Sequence, residues 1–141
     1  MAAQPEIVHT SSSIAHALLG EFDHEMQNTR RTLERVPEDK LTWKPHQKSY
    51  SMGALATHLA TVNHWVEAIF NSDSFDVSTA PKSPELKSRQ ELLSAFDQNT
   101  AKARETIAKA TDAQLMKSWS LLAGQRKFSS CRGSPCCADS F

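Results

Sequence analysis

Glycine is scarce, with four residues in a chain of 141, and none stands in a G-x-G-x-x-G or G-x-x-x-x-G-K-[ST] array, so a backbone cradle for phosphate is not expected. G-x-S-x-G and H-E-x-x-H are also missing, which removes the nucleophile elbow and the helical zinc-protease pattern. No stretch approaches the roughly 20 consecutive apolar residues needed to cross a bilayer. Residues Met1 to His9 contain neither lysine nor arginine nor a long apolar core, so they do not read as a secretory signal, and a cytoplasmic protein is expected. Neither charge sign is in excess: 16 basic residues face 16 acidic ones. Without a basic surplus the electrostatic attraction behind most nucleic-acid binding has no source, and neither nucleic acid nor a membrane is expected as a partner. Cysteine is confined to Cys131, Cys136 and Cys137 in the last eleven residues, which is not the distributed framework of a disulfide-stapled secreted domain. Their spacing lacks C-x-x-C and a companion histidine, so a metal or redox role for them is not favoured.

What the chain does have is helical periodicity. From Ser11 to Val36 the residues Ile14, Leu18, Phe22, Met26, Leu33 and Val36 recur on one helical face, with serines ahead as caps and Pro37 as a stop. The segment from Pro37 to Tyr50 is short and mixed, and Pro45 turns Lys44 away from helical geometry, so it reads as a structured connection. A second helix is predicted from Ser51 to about Phe70, with Met52, Leu55, Leu59, Val62, Val66 and Ile69 on one continuous face. Asn71 to Lys87 lacks that period, and a connection so long inside a small domain is commonly functional. At Ser88 the run SRQE matches a capping box, and Leu92, Phe96, Ala103, Ile107 and Ala110 follow as a third helix. A second box at Thr111 to Gln114 predicts a short turn before Trp119, Leu121 and Leu122, which read as core anchors under a loop. After Phe128 neither period is visible.

The fold expected is therefore all-α: three long amphipathic helices of an incomplete bundle, because three apolar stripes usually need a fourth helix to cover them. The bundle is assigned to residues 1–124 and an irregular tail to 125–141.

Within this frame GEFDHEMQNTRRTLERVPEDKLTWKPHQKSYSMGALATHLATVNHW, followed by FDQNTAKARETIAKATDAQLMKSWSLLAG, resembles the DinB-like superfamily of metal-dependent four-helix bundles. The resemblance spans Ala17 to Gly124 and rests on VPEDKLTWKPH, SMGALATH and WSLL taken together. It implies an LPRVAVLR-like stretch and a fourth helix with a His-x-x-x-His pair after WSLL, and the chain as written has neither. A reading frame shifted near Gly124 accounts for the tail. Taking the last base of each codon with the first two of the next can turn Cys131, Arg132, Gly133, Ser134, Pro135, Cys136, Cys137 and Ala138 into LPRVAVLR. A C-terminally truncated chain is thus expected, with a divergent tail as the alternative.

His58 is the candidate site residue. It lies three residues after Leu55 and seven before Trp65, beside the apolar stripe and towards the expected interior, where it reads either as a core histidine satisfied by a hydrogen bond or as a metal ligand. The resemblance implies the second, since the histidine of SMGALATH matches the family's first ligand. With two histidines of the fourth helix it would form a three-histidine site with open positions, the arrangement of a catalytic metal such as zinc or nickel. Some relatives are thiol-dependent transferases or isomerases, so the implied activity of the full-length form is that of a metal-dependent hydrolase or thiol transferase, with a small-molecule or thiol substrate. One ligand of three selects no ion, so this chain is expected to be metal-free and inactive. The alternative is a binding or oligomerisation module that pairs with a second copy as a homodimer. His46 in WKPH reads as a solvated loop histidine, His16 and His24 as surface residues of the first helix, His64 as off the stripe, and His9 as part of a frayed end.

Overall fold

The computed structural model describes residues 14–80, 84–124 and 126–130. The chain is mostly helical, as expected, with a small sheet that the periodicity does not announce. Helix α1 covers Ile14–Glu34, α2 Met52–Thr61, α3 Trp65–Asn71, α4 Arg89–Lys109 and α5 Asp112–Met116. Helix α4 is the common neighbour of α1, α2 and α3, whereas α1 and α2 touch one another little.

The predicted starts at Ser51, Ser88 and Thr111 carry their caps, while the serines expected to cap α1 lie outside the described residues. Ser51 accepts a hydrogen bond from the Ala54 N–H at 3.0 Å, and Ser88 accepts one from the Glu91 N–H at 3.1 Å. The reciprocal arm at α4 differs from a strict capping box: the Glu91 carboxylate accepts from the Lys87 N–H at 2.7 Å, one residue further out than the cap. At α5 both arms of the box are present between Thr111 and Gln114.

The core is compact around α4. Leu33 of α1, Ala56 and Ala60 of α2, and Leu92 and Phe96 of α4 form the buried cluster, with Met26, Val36, Leu41, Leu59 and Leu86 packed against it. Flanking this core, α1 and α4 run antiparallel. The guanidinium of Arg104 donates two bonds to Asp23 at 2.8 and 2.9 Å, and that of Arg30 donates two to Asp97 at 2.8 and 3.0 Å. Hydrogen bonding from Arg104 holds the Asp23 carboxyl below its usual range, with partial burial opposing and the guanidinium charge assisting.

The predicted second helix departs from expectation in two ways. It is interrupted by a 3₁₀ turn at Val62–His64, and the face it buries is not the leucine and valine stripe. Gly53, Ala56, Thr57, Ala60 and Asn63 are buried instead, while Leu55 and Val62 are 52% and 38% exposed. Small residues let the helix approach its neighbours closely, and Gly53 marks the tightest place: a Cβ there would sit 3.1 Å from the Leu41 carbonyl oxygen. The interruption has polar support from α4. Asn99 donates its amide to the Ala60 carbonyl at 3.2 Å, and the Asn63 amide reaches Thr100 Oγ1 and Met26 Sδ, each at 3.0 Å.

The long connection and the WSLL segment meet in the sheet. Strand β1 (Ser74–Asp76) pairs in parallel with β2 (Trp119–Ala123), and β2 pairs antiparallel with β3 (Arg126–Ser130). Trp119, Leu121 and Leu122 are thus half-buried strand residues rather than loop anchors, and β3 occupies part of the segment expected to be irregular. No 3.6-residue period marks these elements, and at three to five residues each they are too short to show a period of two.

Gly124 turns β2 into β3 with φ of +61°, a conformation that suits glycine. Asp76 Oδ1 fixes that turn, accepting from the Gly124 N–H at 3.1 Å as well as from the hydroxyl and N–H of Ser78. These bonds, the Ser78 hydroxyl first, lower the Asp76 carboxyl below its ordinary 3.8. A lowered folded-state value means the contribution is fully present above the unfolded value and disappears as pH falls through the folded one. The Gly124 amide resonance should therefore shift in acid with a midpoint below 3.8, and Asp76→Asn should abolish that titration. A midpoint at or above 3.8 would contradict the assignment.

Candidate functional site

His58 lies in the body of α2, where the backbone from Met52 to Thr61 is regular and its N-terminal turn is fastened to the preceding loop. The Met52 N–H donates to the Trp43 carbonyl at 2.9 Å, and the Gly53 N–H to the Leu41 carbonyl at 2.8 Å. With the Ala54 N–H on Ser51 Oγ, the three N–H groups of the first turn are satisfied internally, and the Leu55 N–H begins the intrahelical ladder on the Ser51 carbonyl.

The sequence places His58 towards the interior, but the structure leaves it exposed. The cause is the small-residue face of α2. Once Ala56 and Ala60 turn to the core, positions 55, 58 and 62 point the opposite way and form a stripe of Leu55, His58 and Val62. His58 borders a cavity of about 130 Å³ with Tyr50, Ala54 and Leu55. On the other side of Tyr50 and Ala54, a second cavity of about 490 Å³ is bordered by the loop that carries Lys44 and Lys48.

The remaining histidines do not gather around it. His46 is exposed, its Nδ1 accepting from the Lys48 N–H at 3.2 Å in a local turn. His64 Nδ1 lies 2.5 Å from the Thr61 carbonyl, and its ring meets Trp65 edge-on at 6.0 Å. His16 and His24 are exposed on α1. Among the described residues no three His, Cys, Asp or Glu side chains come together as a metal ion would require. The described donors thus do not by themselves fit a metal site. His9, Cys131, Cys136 and Cys137 lie outside the described residues, as does the LPRVAVLR-like segment.

Sequence reasoning missed the loop that clips onto α2, bringing Tyr50 beside His58 and Lys44 and Lys48 to the neighbouring cavity. The signal available was Gly53, a glycine inside a helical pattern and hence a mark of close backbone approach.

The architecture defines a class of protein: a small helical assembly built around one central helix, with a histidine on an uncovered helical face. Comparison with family models assigns it further. Residues 21–128 match the DinB superfamily, and the chain belongs to that superfamily. No curated protein and no solved structure matches it. Among the described residues no helix is long and apolar enough to cross a membrane.

Proposed function

We propose that this chain is a DinB-superfamily scaffold in which His58 is one prospective ligand of a divalent metal such as zinc or nickel, and that by itself it is catalytically silent. The observation that carries the reading is the exposure of His58, whose imidazole stands on an uncovered face beside an open cavity. An imidazole so placed is available to a metal ion whose other ligands lie elsewhere than among the described residues. A single histidine supplies one corner of a tetrahedron, and the affinity and water activation of a catalytic site need at least three protein ligands.

Zinc titration followed by calorimetry tests this. The expected result is weak binding, reduced further by His58→Ala with the helical circular dichroism unchanged. Tight stoichiometric binding that survives His58→Ala would exclude His58 as a ligand.

A second reading is favoured by a separate observation: Leu55 and Val62 share the stripe with His58 and are 52% and 38% exposed. Uncovered apolar side chains at helical spacing suit self-association, so the chain acts as a binding module that pairs with a second copy. Sedimentation should then show mass rising with concentration, and Leu55→Lys with Val62→Lys should restore a monomer. A wild-type chain monomeric at all concentrations would remove this reading.

A further inference from the structure

The two cavities at the start of α2 share Tyr50 and Ala54 in their walls, so the His58 cavity and the larger one lie side by side as neighbouring chambers of a groove. Its volume lies in the range of about 300–1,000 Å³ typical of small-molecule sites, most of it in the larger chamber of about 490 Å³. Two clips build its walls. The loop holding Lys44 and Lys48 is fastened by the bonds from Met52 and Gly53 to the Trp43 and Leu41 carbonyls. On the opposite side, the Leu86 N–H donates to Thr57 Oγ1 at 2.9 Å and sets Glu85 at the rim.

The charges gathered there are uncommitted. Lys40, Lys109 and Lys117 each have a carboxylate partner, whereas Lys44, Lys48 and Glu85 form no ion pair among the described residues. The N–H groups of Met52, Gly53 and Ala54 in the first turn of α2 are already used by the Trp43 and Leu41 carbonyls and by Ser51 Oγ. Lys44 and Lys48 are the cationic side chains lining the larger chamber, and Glu85 is its anionic one. Towards His58 the walls become apolar, with Ala54 and Leu55.

We infer that this groove binds a small zwitterion of the amino-acid type: its carboxylate on Lys44 and Lys48, its ammonium on Glu85, and its side chain along Ala54 and Leu55 towards His58. The inference draws on the His58 reading only for the end at which chemistry would occur.

L-Methionine is a suitable probe, since it carries both charges and an unbranched apolar side chain. Titrated into metal-free protein and followed by amide chemical shifts, it should move Lys48, Ser49, Ala54 and Leu55 saturably. N-Acetylmethionine and methioninamide, each lacking one charge, should bind more weakly. Exposed charge contacts are individually small, so the double variant Lys44→Gln with Lys48→Gln, and separately Glu85→Gln, should each weaken methionine roughly three- to tenfold. Absence of saturable shifts, equal binding of the three compounds, or unchanged methionine binding in both variants would overturn the inference. Because no metal is present, a failed zinc titration leaves this result standing, and a failed methionine titration leaves the ligand role of His58 untouched.

Discussion

Phe96→Ala should destabilise the chain by about 3–5 kcal/mol, enough to unfold much of it at room temperature. Phe96 is 1% exposed and stands where α4 meets the core residues of both α1 and α2, so truncation opens a void that no single helix can close. The buried set is small: only Phe96, Leu33 and Leu92 are large side chains sealed from solvent among the described residues. Full burial of such a side chain contributes roughly 1.5–3 kcal/mol, so three of them leave little reserve against a typical margin of about 5–15 kcal/mol. Urea denaturation of wild type and variant gives the test. A loss below about 1 kcal/mol would mean that α4 is not the hub of the fold.

Asn99→Ala is expected to cost about 1–3 kcal/mol, although Asn99 belongs to no apolar cluster. Its side-chain amide donates to the Ala60 carbonyl at the point where α2 gives way to a 3₁₀ turn, and Ala60 is fully buried. Removing the donor leaves a desolvated carbonyl, which water cannot reach without opening the α2 and α4 contact. Hydrogen exchange should show the amides of α2 and the following turn losing protection ahead of those of α1. Uniform loss across all helices would place the effect elsewhere.

Much of the fold is legible in the residues. Ser51, Ser88 and Thr111 announce helix starts through local chemistry, which operates within four residues and needs no tertiary context. The α1 stripe is read in part: Leu33 is buried with Met26 and Val36 packed beside it, whereas Ile14 and Leu18 are exposed. The α2 stripe is misread because two faces of that segment are apolar, one of large residues and one of small. Periodicity weights Leu55 and Val62 above Ala56 and Ala60, although the smaller ones allow closer backbone contact with α4. The sheet escapes notice because β1 and β2 are separated by the whole of α4 and α5 in sequence, so their pairing leaves no local trace. His58 is found through its neighbours in SMGALATH, but its exposure follows from the side α2 turns inward and is settled only by the packing.

The two cross-helix ion pairs have a consequence for folding as well as for the folded chain. Asp23 and Arg30 are seven residues apart on α1, and Asp97 and Arg104 are seven apart on α4, so the antiparallel helices meet with opposite charges at both levels. A slip of one heptad in one direction brings Asp23 level with Asp97, and a slip in the other brings Arg30 level with Arg104. Either misalignment exchanges two attractions for a repulsion. Exposed pairs of this kind add little once the helices are docked. Their larger influence falls on the competing alignments, where they act as a vernier that lets two long, weakly patterned helices find a single register.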